Sequence, residues 1–134
     1  MSCETGWRSP TATGGRYDEW TNPEHAYSSD NQYAVANGWY SSQDWYNFGF
    51  DIPVGSVIEG IEIGIEGTGD GIDFVGKVKC GLFWNGLFLQ PETETDYLEF
   101  PATEDGFHTV GGPSDLWGWY SWAPENFEDN TNIS

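Results

Sequence analysis

The residues best placed to do chemistry in this chain are carboxylates. In Gly69-Asp70-Gly71-Ile72-Asp73 two of them flank glycines that let backbone carbonyls turn inward, and hard oxygen donors on a flexible loop are what Ca²⁺ takes. Asp70 and Asp73 are therefore candidate calcium ligands, with Asp30 beside Asn31 as a second candidate; the plain alternative is an acidic hairpin loop. The loop lacks the ligand spacing and closing Glu of an EF-hand, so Ca²⁺ would be an optional stabiliser and no cofactor is required.

Other reactive side chains form no pattern. The two histidines, His25 and His108, stand without HExxH or CxxC spacing, which argues against a zinc or transition-metal site. There is no GxSxG, and neither glycine-rich stretch leads into a helix that could hold phosphate. A carboxylate pair can be picked anywhere among so many Asp and Glu, so Glu62 and Glu66 read as a solvated strand face. The expectation is a protein that is not an enzyme. Cys3 and Cys80 are an even count that a disulfide could join; equally, Cys80 shares the apolar face of its strand and reads as a small core residue.

Aromatics carry the other ligand question. The chain has 8 Trp, 7 Tyr and 8 Phe, more than one small core absorbs. Alternation and loop position leave Trp39, Tyr40, Trp45, Trp117, Trp119 and Tyr120 as candidates for exposure, where they would stack on sugar rings or anchor a protein interface.

At 134 residues the chain is one domain's worth. With 22 acidic against 4 basic residues its formal net charge of -18 would repel nucleic acid and anionic lipid, so neither is an expected partner. Disorder is the usual companion of such charge, but the aromatic content excludes it. No apolar run is long enough to span a membrane, and residues 1–20 lack the charged start and apolar centre of a signal peptide. A surface module, either a mature product or one released by lysis, fits this composition.

The elements that must position these residues read as short strands. Val57, Ile61, Ile63 and Ile65 alternate with Glu62, Gly64 and Glu66, the period of two of a half-buried strand. Strands at 42–52 and 56–66 around Pro53-Val54-Gly55 would pair as a hairpin, followed by a strand at 73–84 with Phe74, Val78, Cys80, Leu82 and Trp84 inward and Lys77 and Lys79 opposite Glu62 and Glu66. Asn85-Gly86 is a strong two-residue hairpin signal. Short strands follow at 87–90, 97–100, 107–110 and 116–122, with another at 32–36 after a turn at 28–31. Asn22 would cap a single helical turn that starts at Pro23. The expected architecture is an all-β, antiparallel, jelly-roll-like sandwich: an extended arm at 1–20 with room for one short strand, then a single domain at 21–134.

A combination of motifs adds to this reading: Trp20-Thr21-Asn22-Pro23-Glu24-His25-Ala26-Tyr27, Gly49-Phe50-Asp51-Ile52-Pro53-Val54-Gly55 continuing to Ile61-Glu62, Gly111-Gly112-Pro113-Ser114-Asp115-Leu116-Trp117-Gly118, and Trp122-Ala123-Pro124-Glu125-Asn126-Phe127. In these the chain, over about residues 20–127, resembles a family of β-sandwich modules in phage structural proteins and environmental extracellular proteins. The resemblance implies a non-enzymatic structural or surface-display role and brings no catalytic residue with it. Such modules run on from the Asn-Phe element into one more apolar strand, whereas here Phe127 leads into a polar stretch ending Asn132-Ile133-Ser134. Three readings stand: further chain, a strand begun at Ile133, or an element supplied by a neighbouring subunit through strand addition. The last would build a filament. Asn132 also fits an N-glycosylation acceptor. The expected function is an extracellular, self-associating subunit of a filament, cell-surface appendage or virion, with a carbohydrate-binding or adhesin module reading surface glycans as the alternative.

Overall fold

A computed structural model describes residues 4–92, 97–130 and 133–134. The protein is all-β, with eight strands and two short 3-10 turns among the described residues. It divides into two compact units, Met1–Ser56 with Ala123–Ser134, and Val57–Trp122, where the sequence suggested an arm and one domain.

In the first unit β1 (Ala12–Asp18) runs antiparallel to β2 (Gln43–Tyr46), so that part of the expected arm is a paired strand. The register pairs Ala12 with Tyr46 and Thr13 with Trp45, then shifts before Asp18 meets Gln43. Side chains fill the gap this bulge opens: Gln43 Nε2 donates to Thr13 Oγ1 and to Asp18 Oδ1, each at 2.8 Å, and Thr13 Oγ1 donates to the Asp44 carbonyl at 2.7 Å. The helical turn forms at Pro23–Tyr27 as expected, but Asn22 lies in the left-handed region at φ 50° and makes no side-chain cap; its backbone bend starts the turn. The strand expected at 32–36 reduces to one bridge between Thr21 and Val35. A second 3-10 turn, Pro124–Phe127, closes with Asn126 Oδ1 accepting the Ala123 N–H at 2.8 Å. Phe127 packs edge-on to Phe50 at 6.1 Å, and Ile133 is buried without belonging to a strand.

The second unit is a nested ribbon. β3 (Ile61–Gly67) pairs with β8 (Gly106–Gly112), β4 (Gly76–Val78) with β7 (Leu98–Phe100), and β5 (Leu82–Trp84) with β6 (Leu87–Leu89), all antiparallel. The chain goes out along β3, β4 and β5, folds back at Asn85-Gly86, whose φ values of 49° and 80° fit the expected tight turn, and returns along β6, β7 and β8. Leu82, Leu98, Phe100, Val110, Trp117 and Trp122 form its buried core.

This pairing corrects several expectations. Ile61, Ile63 and Ile65 are half-buried and Glu62 and Glu66 exposed, as the alternation requires, but β3 pairs with β8 rather than with 42–52. Asn47 and Gly49, at φ 58° and 67°, end the earlier strand before the turn at Pro53. The strand expected at 73–84 is two strands, and Phe74 and Val57 face solvent rather than the core. Lys77 lies opposite Glu99, with Nζ 3.4 Å from its carboxylate, instead of opposite Glu62 or Glu66. Lys79 sits over the Tyr97 ring. The stretch 116–122 is a turn, not a strand.

Candidate functional site

The Asp70 loop is organised by its own carboxylate. Asp70 Oδ1 accepts the N–H groups of Ile72 at 2.9 Å and of Asp73 and Phe74 at 3.0 Å. These donors, Ile72 first, hold the carboxyl below its ordinary range. Gly69 and Gly71 donate to the carbonyls of Pro101 and Ala102, each at 2.7 Å, which ties the loop to the segment after β7. Asp73 is exposed. Asp30 makes a smaller version of the same turn, accepting from Gln32 N at 3.1 Å and from Ser28 Oγ at 3.1 Å. Among the described residues no three His, Cys, Asp or Glu side chains gather as a metal-holding group.

Six aromatics were expected at the surface, and the structure sorts them. Trp39 and Tyr40 are 91% and 87% exposed, side by side on a turn where Gly38 and Tyr40 both have positive φ. Tyr120 is also exposed, and its hydroxyl donates to Glu92 Oε1 at 2.7 Å; that carboxylate raises the phenol above its usual pKa. Trp45 is half-buried, edge-on to Trp20 at 5.4 Å with its Nε1 donating to the Pro23 carbonyl, and Trp119 is half-buried against Trp122.

Trp117 contradicts the expectation, because it is 1% exposed. Its own φ of 58°, followed by Gly118 at 75°, makes a tight turn closed by Trp119 N donating to the Leu116 carbonyl at 3.1 Å. That turn swings the indole inward, where Nε1 donates to the Ile61 carbonyl at 2.9 Å. A Cβ at Gly111 would collide with both the Ile61 carbonyl and the indole nitrogen, so a glycine is required at this approach.

Asp115 was not expected to matter. Buried beside the turn, it accepts the Glu92 N–H on both oxygens, at 3.1 and 2.9 Å, and the Trp117 N–H on Oδ1 at 2.9 Å. Asp44, in the other unit, is buried with Oδ2 accepting the Tyr17 N–H at 3.3 Å, and its burial raises the carboxyl pKa. The legible signal for Asp115 was its place one residue before Leu116-Trp117-Gly118, where an Asp side chain can turn back onto the chain. Cys80 is half-buried, and desolvation pushes its thiol up to about 11. Cys3 and Asn132 lie outside the described residues, so the disulfide and glycosylation expectations do too.

Exposed apolar residues missed by alternation are more telling. Phe74, Phe107, Leu87 and Phe88 stand outward on or beside the ribbon. Compared with protein-family models, with curated proteins and with solved structures, the chain matches none. No helix among the described residues is long and apolar enough to cross a membrane.

Proposed function

We propose that this chain is a non-enzymatic, extracellular structural subunit that associates with copies of itself into a filament, appendage or virion structure. The observation that carries the reading is the strand pairing: each described strand has a partner on one side only, in four two-stranded ladders. Open edges of this kind accept further strands, and the nested order of β3 to β8 is that of a ribbon that can wind into a jelly-roll sandwich. Exposed aromatics on so acidic a chain give the contact its apolar part, since -18 of formal charge opposes association through polar surface. Strand addition and aromatic contact need no turnover. A calcium ion at the Asp70 loop would be an accessory.

A second reading has its own observation. Trp39 and Tyr40, adjacent in the chain and almost wholly exposed, are side chains of the kind that stacks on a sugar ring. On that reading the protein is a carbohydrate-binding or adhesin module. Negative-stain microscopy of the purified protein tests the first reading. Filaments or regular oligomers support it, and a monodisperse monomer at every concentration refutes it. Saturable fluorescence quenching by a glycan, abolished in Trp39→Ala, would favour the second.

A further inference from the structure

We propose that the outer edge of β6 pairs antiparallel with the same edge of a second copy of this chain, with Phe88 opposite Phe88 of that copy. The proposal rests on the self-association reading and assigns it a surface. In a two-residue hairpin the residues flanking the turn, Trp84 and Leu87, exchange hydrogen bonds, and the next pair, Phe83 and Phe88, does not. The backbone N–H and C=O of Phe88 therefore point away from β5, along the side of β6 that no described strand pairs. Two copies related by a two-fold axis through this residue can exchange both bonds at once.

The side chains suit the same contact. Leu87 and Phe88 are 47% and 48% exposed, although both are large and apolar. The Phe88 ring packs tilted against Phe83 at 5.0 Å and lies over Gly81, where a Cβ would collide with it. Among the described residues the buried Trp84 Nε1 has no acceptor.

Charge selects the partner. Residues 80–91 contain no Asp, Glu, Lys, Arg or His in a chain whose formal charge is -18, so two copies can meet here without opposing carboxylates. The strand also carries none of the lysines, prolines or inward charges by which edges are normally protected. The other long uncharged stretch, residues 31–43, offers only the single bridge at Val35 and the first residue of β2, Gln43. A two-fold contact closes a dimer, and growth beyond it needs a second surface, for which the exposed Trp39 and Tyr40 are available.

The test uses the full chain and follows size by sedimentation velocity across concentration. Phe88→Glu sets like charges directly opposite one another, and Phe88→Lys does the same with the other sign; each alone should weaken dimerisation about tenfold or more, and a mixture of the two should recover it. Recovery on mixing separates a lost contact from a lost fold. Independently of any variant, the Phe88 amide of the wild-type chain should gain protection from hydrogen exchange as concentration rises. If the wild-type chain assembles while Phe88→Glu assembles equally well and the Phe88 amide exchanges at a concentration-independent rate, the β6 assignment is overturned and self-association stands. A wild-type chain that remains monomeric overturns both.

Discussion

Trp117→Phe should destabilise the protein more than its conservative look suggests. The substitution keeps an aromatic ring but removes the donor that satisfies the Ile61 carbonyl at 2.9 Å, in a site where the side chain is 1% exposed. Leaving a buried carbonyl unpaired costs about 1–3 kcal/mol. The two ring carbons lost from a packed site add about 1.5 kcal/mol, since the slot at Gly111 is bounded by backbone and cannot close around a smaller ring. The sum is about 2.5–4.5 kcal/mol, or a fall in melting temperature on the order of 10 °C for a chain of this size. Trp39→Phe is the matched control: at 91% exposure it should stay within about 0.5 kcal/mol of wild type. Thermal and urea melts of both variants followed by circular dichroism supply the comparison. A Trp117→Phe midpoint within about 2 °C of wild type would refute the burial and hydrogen bond on which the turn at 116–119 is argued.

Two further outcomes follow from buried groups. Burial raises the folded pKa of Asp44 above its unfolded value, so its contribution to stability is full below the ordinary carboxylate value near 3.8 and is lost as pH rises through the folded value. The non-titrating Asp44→Asn should therefore gain on wild type in paired melts between pH 4 and pH 7, and a gap moving the other way contradicts the assignment. The thiol of Cys80, pushed up to about 11, should alkylate slowly at pH 8 in the folded chain, roughly a hundredfold below its rate in urea, as read by mass spectrometry of the tryptic peptide; equal rates would show an accessible thiolate.

What could be read from residues was local. The alternation of Ile61, Ile63 and Ile65 with Glu62 and Glu66 gave the right faces of β3, and Asn85-Gly86 gave the hairpin, because period and turn chemistry are short-range properties. The partner of β3 was not legible. Pairing with β8 joins residues some forty-five positions apart, and nothing in either strand alone favours it over the nearer segment at 42–52. The break in that nearer segment depends on positive φ at Asn47 and Gly49, types that tolerate the left-handed region without demanding it. Trp117 was harder still. A bulky residue at φ 58° is uncommon, so alternation placed its ring outside when the backbone turns it inside. Among the aromatics, alternation and loop position picked out the exposed Trp39, Tyr40 and Tyr120 but passed over Phe88, whose exposure follows from a hairpin with apolar residues on both faces.

Self-association is the claim on which the proposed function depends, and light scattering of the purified wild-type chain from micromolar to millimolar concentration tests it most directly. The open strand edges and the uncharged β5 and β6 hairpin predict a weight-average mass that rises with concentration and rises further as added salt screens the formal charge of -18. A mass fixed at the 15.0 kDa of one chain across that range, with and without salt, would contradict it.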